Sequence, residues 1–216
     1  MSDVRCPVCE SDDVRLLLRD RQGRVYHRCE TCRASFLDAE HFLSREAELA
    51  HYGTHENAVD DPGYRAFLSR LAQPLLDRLP RQSKGLDYGC GPGPALAAML
   101  REAGHEVALY DPFFAADAGV LEQTYDFITC TETAEHFHHP ADEFRRLAAM
   151  LNPGGTLAVM TMFQTDDARF ETWHYRLDPT HVVFYRPETF TRLAHQLGLG
   201  CEIIRKDVVF LTRPGQ

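Results

Sequence analysis

The segment Asp87-Tyr88-Gly89-Cys90-Gly91-Pro92-Gly93 decides the fold. It joins a short strand pattern, Gly85–Tyr88, to a helical pattern, Pro94–Ala103. Its glycines let the backbone turn sharply and approach a ligand with no Cβ in the way. No Lys-Ser/Thr pair follows, which excludes a phosphate-binding P-loop. A bare G-x-G-x-G is shared by several dinucleotide folds and by plain turns, so the context carries the reading. Asp87 stands two residues ahead of the first glycine. Asp111 ends the next strand pattern, Glu106–Tyr110, eighteen residues beyond Gly93. A carboxylate at that place accepts both hydroxyl protons of a ribose.

Downstream, strands and helices alternate. Tyr125–Cys130 reads as a buried strand, Pro140–Leu151 as a helix with an acidic first turn, and Thr156–Met162 as a strand. Pro187–Leu197 reads as a helix, and Cys201–Ile204 with Val208–Thr212 as a terminal hairpin. This alternation predicts an α/β, doubly wound, Rossmann-like sheet. Ligands of such sheets bind beyond the carboxyl ends of the strands, which places the chemistry after Tyr88, Tyr110, Cys130 and Met162.

Asp87–Gly93, Asp111, Tyr125-Asp126-Phe127-Ile128-Thr129 and Leu151-Asn152-Pro153-Gly154-Gly155-Thr156-Leu157 resemble the successive motifs of class I S-adenosylmethionine (SAM)-dependent methyltransferases. The resemblance spans about residues 84–212. It implies a seven-stranded sheet whose last strand is antiparallel. It also implies SAM held by Asp87, Gly89, Cys90, Gly91, Gly93, Asp111 and Thr131, with its ribose on Asp111. Only fourteen residues, 112–125, separate Asp111 from Asp126, which leaves little room for the family's usual third strand. A Rossmann-like domain for a nicotinamide cofactor is the alternative, and the Leu-x-Pro-Gly-Gly turn argues against it.

The N-terminal region follows a different pattern. Cys6-Pro7-Val8-Cys9 and Cys29-Glu30-Thr31-Cys32 are two CxxC pairs separated by nineteen residues, the spacing of a zinc ribbon. Two such knuckles complete a closed tetrahedral site, so this zinc is structural. Residues 1–37 are too few for a core of their own, and zinc would supply much of their folding energy. Val14–Arg19 and Arg24–Arg28 read as the ribbon's hairpin strands. Residues 38–83 form a helical linker or cap, with helices over about Asp38–Tyr52 and Asp61–Leu79 and a kink or break at Pro74. Residues 84–216 form the methyltransferase domain. A ribbon ahead of such a domain recurs in bacterial methyltransferases of sugars and of ribosomal RNA.

After the fourth strand motif the chain reads Thr131-Glu132-Thr133-Ala134-Glu135-His136-Phe137-His138-His139-Pro140. In a helical turn, Glu132, Glu135 and His136 share one face. Two carboxylates and an imidazole there make part of a metal site or of an acid–base site. Trp173-His174-Tyr175-Arg176-Leu177-Asp178-Pro179-Thr180-His181 returns to the same edge and can add a ligand or, at His174 or His181, a base. The E-x-x-E-H with a later histidine resembles the small-RNA 3′-terminal 2′-O-methyltransferases. The catechol O-methyltransferases of ubiquinone biosynthesis share its first part. That resemblance implies Glu132, Glu135, His136 and His181 as ligands of a divalent ion, with Mn²⁺, Fe²⁺ or Zn²⁺ better suited than Mg²⁺. The other reading makes one glutamate a SAM or substrate contact and His136 a helix cap. His138 and His139 read as a solvated turn, and Trp173 as a substrate lid or core. Tyr52, His55 and Asn57 either close over SAM or pack ribbon to core.

The 216-residue chain has 44% apolar and 25% charged residues, ordinary globular usage. No apolar run is long enough for a membrane span, and no signal-peptide core opens the sequence, so a cytoplasmic protein is expected. The net charge of −9 lies mostly outside the ribbon and argues against a broad nucleic-acid surface. The leading reading is therefore methyl transfer from SAM to a small-molecule acceptor, with metal assistance as an option. The alternatives are an RNA methyltransferase whose ribbon positions RNA, and a non-catalytic SAM-binding module.

Overall fold

The computed structural model describes residues 4–53 and 58–215, so His55 and Asn57 lie outside the described residues. The strands are β1 (Val14–Arg19), β2 (Val25–Cys29), β3 (Ser35–Leu37), β4 (Lys84–Tyr88), β5 (Glu106–Tyr110), β6 (Tyr125–Thr131), β7 (Leu151–Met160), β8 (Val183–Phe184), β9 (Gly200–Arg205) and β10 (Val208–Thr212). The helices are α1 (Arg45–Tyr52), α2 (Pro62–Leu76), α3 (Ala95–Glu102), α4 (Pro140–Ala149), α5 (His174–Leu177) and α6 (Pro187–Leu197).

The central sheet runs β5-β4-β6-β7-β10-β9. Its first four strands are parallel, and β10 is antiparallel to both β7 and β9. The α/β class is as expected, but the sheet has six strands among the described residues rather than seven. The segment between β5 and β6 holds a 3₁₀ turn, Ala118–Glu122, in the room that a third strand would need. Alternate residues of the buried strands serve opposite faces. Phe127, Ala158, Met160 and Phe210 pack under Leu68, Leu71 and Leu75 of α2 and Leu96 and Leu100 of α3. Ile128, Leu157, Val159 and Leu211 pack under Phe144 and Leu147 of α4 and Phe190 and Leu193 of α6. Cys130 belongs to this second layer. Gly85 has no alternative: a Cβ there would stand 2.0 Å from the Phe127 ring on the neighbouring strand.

Two helix expectations are corrected. Residues Ala39–His41 form a 3₁₀ turn capped by Asp38, and α1 starts only at Arg45 with Ser44 as its N-cap. Helix α2 runs unbroken through Pro74. The proline's missing N–H leaves the Arg70 carbonyl without its helical donor, and the Arg205 guanidinium donates to that oxygen at 3.2 Å.

The N-terminal strands form a second sheet, β1-β2-β3-β8. Its fourth strand comes from the far end of the chain, with Ser35 opposite Phe184 and Phe36 opposite Val183. The N-terminal sheet and the central sheet share one continuous core that includes Tyr26, Phe36, Phe170 and Phe184. Among the described residues, no helix is long and apolar enough to cross a membrane.

Candidate active site

The turn after β4 is built on Gly89, at φ +77°, and Gly91, at φ +61°. A Cβ on Gly89 would stand 2.2 Å from the Thr133 side chain, whose hydroxyl donates to the Gly89 carbonyl at 3.2 Å. The Gly91 N–H donates to Asp111 Oδ2 at 3.0 Å, so the loop is fastened to the end of β5. Asp111 Oδ1 accepts from the N–H groups of Phe113 and Phe114. Asp87 lies beneath the turn and accepts from the Thr129 hydroxyl at 2.8 Å. Burial raises its pKa to about 6. Neither Asp87 nor the buried Gly93 lines the cleft, whereas Gly89, Cys90, Gly91 and Asp111 do. Burial, reinforced by the charges of Asp87 and Asp111, pushes the Cys90 thiol up to about 12, so it stays protonated near neutral pH. Thr131 lines the cleft with a buried Oγ1 that makes no hydrogen bond among the described residues.

The same cleft, of about 770 Å³, continues to Glu132, Glu135, His136 and His181. The expected helical face is not how they meet. Glu132 has a left-handed backbone, φ +48°, and its N–H is held by the Met160 carbonyl at 2.8 Å. The chain then tightens into a 3₁₀ turn, Ala134–His136. Ligand atoms of Glu135, His136 and His181 lie within 4.8 Å of one another, and Glu132 stands outside that group. The Glu132 carboxylate instead accepts from the Tyr175 hydroxyl at 3.2 Å. Burial first, and then the charge of Glu135, raise its pKa to about 8.

Glu135 is wholly buried, and among the described residues neither of its carboxylate oxygens has a hydrogen-bond partner. Burial raises its pKa. A buried carboxylate without partners is costly unless it is neutral or faces a cation. His136 Nδ1 donates to the Thr180 carbonyl at 3.0 Å, and His181 Nδ1 donates to the Tyr175 carbonyl at 2.7 Å. Each bond puts the ring proton on Nδ1 and makes Nε2 the acceptor nitrogen. Two orphan oxygens and two acceptor nitrogens form a donor set suited to a divalent cation.

Cys6, Cys9, Cys29 and Cys32 are buried, with Sγ–Sγ separations of 3.6 Å for Cys6–Cys32 and 3.5 Å for Cys9–Cys29. A disulfide requires about 2.05 Å. A zinc tetrahedron with bonds of about 2.3 Å has edges of about 3.8 Å. The four thiols therefore fit a zinc ion with little adjustment.

The family model described as a methyltransferase domain matches residues 62–202. The chain belongs to this methyltransferase family. The ubiquinone biosynthesis O-methyltransferase of Yersinia pestis is 30% identical over 115 residues, covering 43% of this chain and 46% of that protein. The Yersinia pseudotuberculosis protein of the same name matches equally. The chain thus spans about half the length of the curated relatives it matches. Among solved structures, the 1,6-didemethyltoxoflavin N1-methyltransferase of Burkholderia thailandensis aligns with a TM-score of 0.55 and 16% identity. It covers 93% of this chain and 99% of its own, and that structure contains S-adenosylhomocysteine.

In this methyltransferase His174 is exposed at the start of α5 and does not line the cleft. The short helix instead turns its neighbour Tyr175 inward. Trp173 is packed on Phe170, Tyr175 and Phe184, which makes it part of the core rather than a lid. His139 is exposed, but His138 is not a solvated turn residue: it stacks on Phe42 and bonds Glu48 at 2.8 Å. Sequence reasoning missed Tyr175, which touches Glu132, holds His181 and bonds Thr161. It also missed Asp178, which accepts from the Thr180 N–H and hydroxyl and pairs with His51 of α1. A tyrosine and an aspartate within a histidine-rich segment were the only signal. The cleft walls, Tyr52, Tyr64, Tyr88, Tyr110 and Phe113, come from five separate elements and loops and share no motif.

Proposed function

We propose that this methyltransferase transfers the methyl group of SAM to a hydroxyl of a small-molecule acceptor. The observation that carries this reading is the single cleft with two chemically different ends. At one end the Gly89–Gly91 turn and the Asp111 carboxylate suit a ribose and the chain of SAM. At the other, Glu132, Glu135, His136 and His181 converge. Methyl transfer from a sulfonium is an in-line displacement, so the enzyme must align the acceptor oxygen, take its proton and exclude water. Glu132 is the base in this reading. Its raised pKa gives it the proton affinity of a base working near neutral pH, and the Tyr175 hydroxyl orients its carboxylate. The aromatic walls exclude water from the reacting atoms. Glu135, His136 and His181 would hold a divalent cation, which when bound lowers the pKa of an acceptor hydroxyl and orients it. Vicinal diols and catechols are the acceptors such an end favours. The test is an S-adenosylhomocysteine release assay over catechols, aliphatic diols, amines and short RNAs, with and without Mn²⁺. Turnover with a diol or catechol supports the reading, and turnover confined to RNA or amines overturns it.

A further inference from the structure

The residues that complete the acid–histidine end come from the segment between β7 and α6. That segment has one strand, β8, and β8 pairs with the ribbon rather than with the central sheet. The hydrogen bonds run directly to the site. Leu37 N–H of the ribbon donates to the Val182 carbonyl at 2.8 Å, and Val182 N–H donates to the Glu135 carbonyl at 2.8 Å. Val182 follows His181, so one residue links the ribbon to Glu135 right beside the histidine. Three further ties reach the same segment. Asp20 of the ribbon pairs with buried Arg176 at 3.2 Å, next to the Tyr175 carbonyl that holds His181. Fully buried Arg28 of β2 pairs with Asp167, which also pairs with Arg186 just beyond β8. Tyr26 of β2 packs edge-on against Phe170, 5.4 Å between ring centres.

We infer that the ribbon is the frame that positions the acid–histidine end of the cleft, and that its zinc acts on the chemistry through Val182. The ribbon segment is too small to hold β3 in place by its own burial, so its four thiolates and their zinc supply that rigidity. The Gly89–Asp111 end has no direct strand pairing to the ribbon: among the described residues β4 and β5 pair only within the central sheet, to which β8 does not belong. Loss of ribbon zinc therefore loosens residues 174–185 while leaving the SAM end intact. This inference rests on reading the acid–histidine cluster as the acceptor end.

The experiment compares the full-length wild type with Cys6→Ser/Cys9→Ser and with Leu37→Pro. The proline variant keeps all four cysteines but removes the N–H donated to Val182 and places its ring against that carbonyl. Hydrogen exchange by mass spectrometry reads residues 174–185 against 84–111, ring ¹⁵N NMR reads the His181 tautomer, and calorimetry reads SAM affinity. Both variants are expected to exchange about tenfold faster or more in 174–185, with 84–111 and SAM affinity unchanged. Leu37→Pro should keep its zinc and lose the fixed Nδ1–H tautomer of His181. Unchanged protection of 174–185 in Leu37→Pro overturns the inference. Equal loss of protection across 84–111 also overturns it, by making the ribbon a support for the whole fold. Failure of the wild type to bind SAM overturns the functional reading instead and leaves the exchange comparison standing.

Discussion

Nδ1 of His181 lies 2.7 Å from the carbonyl oxygen of Tyr175. A carbonyl only accepts, so this contact assigns the ring proton and turns the Nε2 lone pair the other way. His136 is treated alike by the Thr180 carbonyl. The two imidazoles stand with ring centres 4.7 Å apart beside the Glu135 carboxylate, whose oxygens have no hydrogen-bond partner among the described residues. Burial lowers the pKa of His181 and keeps it neutral, the form that can ligate.

A divalent ion is therefore expected at Glu135, His136 and His181. Crystals grown with excess Mn²⁺ should show an anomalous peak among these three side chains, distinct from the ribbon site. Glu135→Ala/His136→Ala should remove that peak and leave the ribbon zinc in place. Wild-type crystals with metal only at the ribbon would return these residues to acid–base or SAM-contact roles.

Asp111→Ala should weaken SAM binding by roughly 100-fold or more, the loss of two hydrogen bonds to a charged acceptor. The variant also frees the N–H groups of Gly91, Phe113 and Phe114, so a lower melting temperature is expected with the fold retained. Titration calorimetry on a variant of native circular dichroism makes the comparison. Unchanged affinity would place the ribose elsewhere.

Cys6→Ser/Cys9→Ser should lose the ribbon zinc, as measured by elemental analysis. Full zinc retention would mean that the four buried thiols do not form the site.

Asp87 gives a pH dependence. Its folded pKa is raised by burial from 3.8 to about 6, so the folded state holds the proton more tightly than the unfolded chain. Its contribution is fully present below about pH 4 and is lost as pH rises to about 6, a change of roughly 3 kcal/mol. Asp87→Asn lacks this loss. The stability difference between variant and wild type should therefore move in the variant's favour between pH 4 and 6.5 in urea titrations. Parallel pH profiles would show that the carboxyl ionises as freely as in the unfolded chain.

The sequence by itself determined the α/β class, the glycine turn, the acidic residue at the end of β5 and the CxxC pairs. Each is a local pattern: a period of two or of 3.6, a left-handed turn that needs glycine, or a metal knuckle closed within four residues. Contacts remote in sequence were decided only by the tertiary structure. Ser35–Leu37 is too short to announce itself as a strand, and it becomes one because Val183–Phe184 arrives from almost 150 residues away. Glu132 leaves the face of Glu135 and His136 because its backbone turns left-handed where the Met160 carbonyl takes its N–H. Tyr175 enters the site, and His174 does not, because Tyr175 packs between Trp173 and His181 while Arg176 is held over Phe170 and paired with Asp20. Side-chain direction at such places follows from what the chain meets, and the partners it meets are set by packing over the whole molecule.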